Sequence, residues 1–306
     1  MNKAIWIIVG FLAFATFAGP ANAADRGGER PAAYMGLGFG GRQVALGGAA
    51  ASLPGGLAGA VVNPAILTGV RTFQFYTQYA FLTEDRTLAY LGLGNRLEKS
   101  PLSYAISWAY FSAGGDLEAR LGPSAAPLYT FSDSQMAFLV TTAYRLNETW
   151  AVGTSVKVFT HWLDTDMGWG LGTDLGLTYR VSGNTRIGVS AQDLLSAVRF
   201  SNSDSGRIPP TFKAGVSHLF YGPQVIATLD LSQASDLGFE PCGGLEWRVK
   251  SGIALRVGWG QDLLRGGFGL TSRGSRTAQE FNYVVSQDAL VDGALLHRVS
   301  LGLRFL

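Results

Sequence analysis

His161, His218 and His297 are the only histidines in the chain, and Cys242 is the only cysteine. The three imidazoles fall in separate segments with no ligand spacing between them, so they predict no metal site, and no cofactor is implied. Hydrolysis by a serine nucleophile needs Ser, His and an orienting polar group on one face. His161 with Asp164 or Asp166 is the one candidate cluster, and no serine stands beside it. Gly36-x-Gly38-x-x-Gly41 has the spacing of a dinucleotide fingerprint but lacks the preceding strand and following helix. Asn147-Glu148-Thr149 fits a glycosylation sequon by chance, in a turn. Chemistry is not what this sequence is built for, and no enzymatic activity is expected.

The charged residues follow a different logic. In MGWGLGTDLGLTY (167–179), Trp169, Leu171, Thr173, Leu175, Leu177 and Tyr179 share one face. Gly168, Gly170, Gly172, Asp174, Gly176 and Thr178 share the other, which is the period of a strand. Fourteen such segments follow residue 70, centred on 71–81, 87–95, 102–112, 134–144, 149–161, 168–180, 184–192, 210–219, 224–232, 239–249, 252–260, 264–272, 277–285 and 296–305. Their polar faces carry Lys157, Asp174, Arg186, Lys213, Asp230, Glu240, Glu246, Arg248, Arg256, Glu280, Arg298 and Arg304. Seven are positive and five negative. A charge-selective pore favours one sign, so the mixture predicts an internal network that braces a wall.

The connections sort by parity. Turns after even-numbered segments are short (147–149, 182–184, 221–223, 250–252), whereas the long gaps, 113–133, 193–209 and 286–295, follow odd-numbered ones. Short turns at one end and long loops at the other are the asymmetry of outer-membrane barrels. Trp150 and Trp247 lie beside short turns, and Trp108, Trp162, Trp169 and Trp259 toward the opposite ends, which predicts two aromatic girdles. The fold class expected is therefore all-β: a transmembrane antiparallel up-and-down barrel of about 14 strands. Its apolar face meets lipid, and closure removes free edges.

Lys3, the apolar run 4–19 and Ala21-Asn22-Ala23 predict a signal peptide over residues 1–23. Glycine makes up 41 of 306 residues, against a usual share of about 7%. Residues 24–70, small, apolar and glycine-rich, predict a hatch packed in the lumen of a barrel formed by 71–306. The glycines at 168, 170, 172 and 176 would leave it room. A net charge of +2 gives no field to draw nucleic acid.

GLGFGGRQVALGGAAASL followed by Asn63-Pro64-Ala65 resembles the start of the PorV/PorQ family, barrels related to the long-chain fatty-acid transporter FadL. VGTSVKVF (152–159), GTDLGLTYR (172–180), IPPTFKAGVSH (208–218), LEWRVKSGIALRVGWG (245–260) and HRVSLGLRFL (297–306) extend the resemblance over nearly the whole mature chain. It implies a fourteen-stranded outer-membrane barrel of a Gram-negative bacterium, with Asn63, Pro64 and Ala65 in the hatch. The function implied is transport or type IX secretion without catalysis. The alternatives are a passive channel for hydrophobic small molecules such as fatty acids, or a structural or adhesive barrel. The partners implied are outer-membrane lipid and either a hydrophobic ligand or secretion-system proteins. PLYTF (127–131) and LLSAVRF (194–200) would line a pocket near the outer loops.

Overall fold

The computed structural model describes residues 31–122, 125–201, 206–222, 224–234, 238–250, 252–261, 263–288, 290–291 and 293–306. The expected signal peptide, 1–23, and residues 24–30 of the expected hatch lie outside them. Fourteen strands form the wall: β1 (Gln74–Phe81), β2 (Thr87–Arg96), β3 (Leu102–Ser112), β4 (Asp133–Arg145), β5 (Trp150–Leu163), β6 (Asp166–Arg180), β7 (Thr185–Phe200), β8 (Thr211–Phe220), β9 (Val225–Ala234), β10 (Phe239–Lys250), β11 (Ile253–Gly260), β12 (Leu263–Arg273), β13 (Thr277–Gln287) and β14 (Leu295–Phe305). Each pairs antiparallel with its neighbour, and β14 pairs with β1 from Gln74↔Arg304 to Phe81↔His297, so the sheet closes on itself.

Alternation explains the closure. In β3, Ser103, Ala105, Ser107 and Ala109 are buried, while Tyr104 and Ile106 are exposed. Phe138 and Val140 of β4, Leu171 and Leu175 of β6, Val257 of β11 and Leu301 of β14 continue the exposed apolar face. A period of two with small and polar side chains inward leaves an apolar band outside. All six tryptophans named above belong to the outward set. Trp150 packs on Tyr179 across β5–β6, ring centroids 4.3 Å apart. Trp108 lies opposite Leu91 and Phe138, inside its strand rather than at the tip.

Connections after even-numbered strands form one end, here the turn rim, with the C-terminus. Those after odd-numbered strands form the loop rim. One long gap is shorter than expected, because β7 runs on to Phe200 instead of ending near residue 192. The sequence Asp193-Leu194-Leu195 breaks the alternation but not the strand. It forms a bulge, with register to β6 shifting between Leu171, Thr173 and Leu175. Asp193 (φ 57°) and Leu195 (φ 55°) are left-handed, and the extra residues leave Leu195 94% exposed on the outer surface. LLSAVRF is therefore wall; its Val198 and Phe200 turn inward. In PLYTF, Tyr129–Phe131 pairs with Leu117–Ala119 in a small hairpin, with Leu128 and Tyr129 exposed.

Residues 31–70 pack inside the barrel as short turns, among them α1 (Gly41–Ala45) and the 3-10 segments Ala58–Val61 and Pro64–Gly69. So little regular structure leaves many backbone groups to be bonded from outside the segment. Gln78 of β1 accepts from the Gly40 amide at 2.7 Å, and Asp230 of β9 accepts from both Ala50 and Ala51, each at 2.7 Å. Ser103 of β3, Arg145 of β4, Gln192 of β7, Ser217 of β8 and Arg298 of β14 donate to its carbonyls.

Glycines admit this close approach, though not where the 167–179 pattern suggests. A side chain at Gly168, Gly170 or Gly172 would strike Phe200, Ala197 or Ser196 of the neighbouring wall strand β7. Of that series only Gly176 faces the segment, at Asn63. Further contacts with the segment fall at Gly94 (against Leu57), Gly153 (Pro64 and Ala65), Gly188 (Ala51), Gly206 (Pro31), Gly244 (Leu46), Gly258 (Leu46 and Gly47) and Gly260 (Gly47). Gly258→Val would therefore drive methyl groups into the Leu46–Gly47 backbone. The expected result is trypsin cleavage after Arg42 in the folded, detergent-solubilised protein, with the heat-modifiable mobility of the barrel retained. Unchanged protection of Arg42 would count against the packing described.

Candidate functional site in the barrel interior

The segment divides the lumen in two. Toward the loop rim, Tyr34, Phe39, Ala58 and Val61 pack on Leu88, Tyr90, Leu139, Phe159 and Val198 of the wall in one apolar cluster. Beside it lies a cavity of about 220 Å³. Met35, Phe39, Val44, Val61, Val62 and Ile208 supply its apolar lining, and Lys157, Asp193, Lys213, Glu240 and Arg265 line it as well. Tyr34 stacks on Phe111, centroids 5.7 Å apart. Burial, and then the charge of Asp193, push the Tyr34 hydroxyl above its ordinary range.

Beside the cavity sits a buried charge cluster. Lys157 Nζ lies 2.8 Å from Asp174 Oδ1 and 2.7 Å from Asp193 Oδ1, with Lys157 only 1% and Asp174 0% exposed. The Asp193 amide donates to Asp174 Oδ1 at 2.9 Å, and Thr173 Oγ1 donates to the Leu194 carbonyl at 3.0 Å. These contacts hold the β7 bulge in its left-handed backbone. One lysine faces two carboxylates, and Asp174 Oδ2 is buried without a hydrogen-bond partner.

A second cluster centres on Glu246. Arg42 of α1 donates to both its oxygens, at 2.6 and 3.1 Å, and Arg256 Nε donates at 2.8 Å. Arg248 Nη2 lies 3.2 Å from Oε1. Burial works against the Arg42 charge, but Glu246 more than offsets it, and the guanidinium is held more firmly protonated than usual. Arg256 Nη1 donates to Asn282 Oδ1 at 2.7 Å, and Asn282 Nδ2 donates to Glu280 at 3.0 Å and Ser300 at 3.2 Å.

All twelve charged residues anticipated for the lumen lie on the inward face, but they do not form one network. Lys157 with Asp174, and Glu246 with Arg248 and Arg256, are ion pairs within the wall. Glu280 joins the second group through Asn282. Asp230 and Arg298 instead bond the backbone of residues 31–70. Lys213 and Glu240 line the loop-rim cavity, and Arg186 and Arg304 line one at the turn rim.

Asn63 of Asn63-Pro64-Ala65 caps the 3-10 turn Pro64–Gly69 by accepting from the Ala65 amide at 3.1 Å. Its Nδ2 donates to Ala51 O at 2.7 Å and approaches Leu177 O and Val189 O of β6 and β7 at 3.1 and 3.3 Å. Asn63 thus joins two parts of the segment to the wall. Proline fits the first helical position because it has no amide to leave unpaired.

Arg42, Asp193, Arg265 and Asn282 were not singled out from the pattern. His161 Nε2 lies 2.9 Å from Asp133 Oδ1 of the neighbouring strand. His218 and His297 sit on the outer face beside Thr185 and Tyr283.

The sequence matches no protein-family model and no curated protein. Solved structures do match. The toluene transporter TbuX of Ralstonia pickettii superposes over 88% of this chain and 99% of its own, with a TM-score of 0.57 at 17% identity. The toluene transporter TodX of Pseudomonas putida gives a TM-score of 0.63 at 12% identity, covering 88% and 97%. A FadL homologue of Pseudomonas aeruginosa gives 0.56 at 10% identity, covering 87% and 95%. The fold is FadL-like. These likenesses carry the FadL half of the sequence resemblance and not the PorV/PorQ half.

Within this FadL-like barrel, Lys157 is a fully buried cation held between two carboxylates. Lys157→Met leaves two carboxylates facing each other without a cation. Removing one partner of a buried pair costs about 3–5 kcal/mol. Urea unfolding in detergent micelles should show a loss of that order, partly restored by adding Asp174→Asn.

Proposed function

We propose that the chain is an outer-membrane channel for hydrophobic small molecules, in which residues 31–70 act as a hatch. The observation that carries this reading is the divided lumen. A closed wall surrounds a segment that leaves a partly apolar cavity on the loop side, in a fold similar to two toluene transporters. The outward band of Ile106, Phe138, Val140, Leu171, Val257 and Leu301 suits hydrocarbon. With the turn rim toward the periplasm, the loop rim meets the outside, and a solute enters beside Met35 and Phe39. Transport of this kind needs no catalysis. The secretion role implied by the PorV/PorQ resemblance has no observation of its own in the fold, so secretion-system partners are not part of this reading.

Gly36 provides the test. It lines the cavity, and a Cβ built there meets nothing within 4 Å. A phenylalanine at this position would occupy the cavity without displacing the wall. Liposomes containing the wild-type chain should accumulate labelled toluene or a long-chain fatty acid faster than empty ones. Gly36→Phe should bring the rate back toward the empty control at unchanged thermal stability. Equal uptake by empty and protein-containing liposomes for both solutes would end the channel reading.

A further inference from the structure

We propose that the cavity at the turn rim is a binding site for an oxyanion, the carboxylate or phosphate of a free anion or of an amphiphile's head. This cavity, about 970 Å³, lies across the segment from the apolar one. Its volume is within the range of small-molecule sites. Eight arginines and three glutamates line it, with no lysine or aspartate. Two of the glutamates are engaged: Glu246 holds Arg42, Arg248 and Arg256, and Glu280 accepts from Asn282.

The remaining arginines are Arg71, Arg145, Arg180, Arg186 and Arg304. Among the described residues, none of them has a carboxylate within ion-pairing distance. Arg180 and Arg186 are direct cross-strand partners on β6 and β7, both pointing inward. Like charges placed directly opposite destabilise a sheet. Arg145 lines the same cavity and donates from Nη2 to the Thr68 carbonyl at 2.7 Å.

A solvated ion-pair face would alternate signs. This wall concentrates one sign inside a concavity, which focuses the field on an anion. Guanidinium forks match carboxylate and phosphate oxygens in pairs. Pro54, Leu57 and Ala58 of the segment form an apolar roof, and Gly55 and Gly56 leave it open. An alkyl tail attached to the anion has a surface to lie on.

The experiment uses the full chain in a non-ionic detergent and three probes: inorganic phosphate, dodecyl phosphate and dodecanol. Calorimetry should show saturable binding of at least one phosphate probe, weakening as salt is raised. In the Arg180→Gln/Arg186→Gln double variant it should be about tenfold weaker or more. Arg120→Gln, in the small loop-rim hairpin, serves as the control and should bind as wild type. Removing the repulsion should leave the melting temperature of the double variant equal or higher, which a purely structural role for these arginines would not do. Equal affinity for the two phosphates identifies a free anion. Tighter dodecyl phosphate, with no dodecanol binding, identifies an amphiphile. Absence of saturable phosphate binding, equal binding of dodecanol, or binding unchanged in the double variant would overturn the proposal. Toluene uptake by the same variant reports separately on the channel.

Discussion

A peptide segment enclosed in a barrel must find partners for its backbone polar groups, and this requirement organises the whole molecule. Residues 31–70 form only short turns, whose internal bonds, such as Val44 N–H to Gly40 O and Ile66 N–H to Asn63 O, satisfy part of their amides and carbonyls and leave the rest unpaired within the segment. The wall supplies what is missing from nearly every side: Gln78, Ser103, Arg145, Gln192, Ser217, Asp230 and Arg298 each reach inward to a main-chain atom. Inward polarity here serves mainly to hold this segment. Only part of it forms ion pairs within the wall itself. Glycine works toward the same end, because Gly153, Gly176, Gly188, Gly244 and Gly258 let two backbones meet where any side chain would collide.

The two halves of the lumen differ because the segment has two kinds of surface. Tyr34, Phe39 and Val61 present an apolar face to β2, β4 and β5. Arg42 and the Pro54–Gly56 turn face the turn rim, where the wall carries arginine after arginine. The Lys157–Asp174–Asp193 cluster stands in the wall beside the apolar half and fixes the β7 bulge. Lys157 and Asp193 of this cluster line the same cavity as Lys213, Glu240 and Arg265. Charge in this barrel is thus sorted by height rather than spread evenly.

Much of this was legible in the sequence. Strict alternation and turn residues mark all fourteen strands, because inward and outward solvents differ so sharply that each position reveals its face. The end of β7 was not legible: Asp193-Leu194-Leu195 puts two leucines side by side, and the hydrogen bonds that keep the strand going come from Asp174 and Thr173 on another strand. Arg265 is flanked by Leu263-Leu264 and Gly266-Gly267, so its neighbours give no clear face. Arg42 reaches Glu246 and Asn282 reaches Arg256, each on a distant strand, beyond any local periodicity. The glycines at 168, 170 and 172 announce close approach without saying to what, and the neighbour is the wall itself.

The seam between β1 and β14 joins the first strand of the wall to the last. Everything enclosed precedes the first strand in the chain, yet the enclosure shuts only when the final eleven-residue strand arrives. The enclosed segment and the closing seam thus meet at β1: the chain leaves the interior at residue 70 and enters the very strand on which the wall shuts.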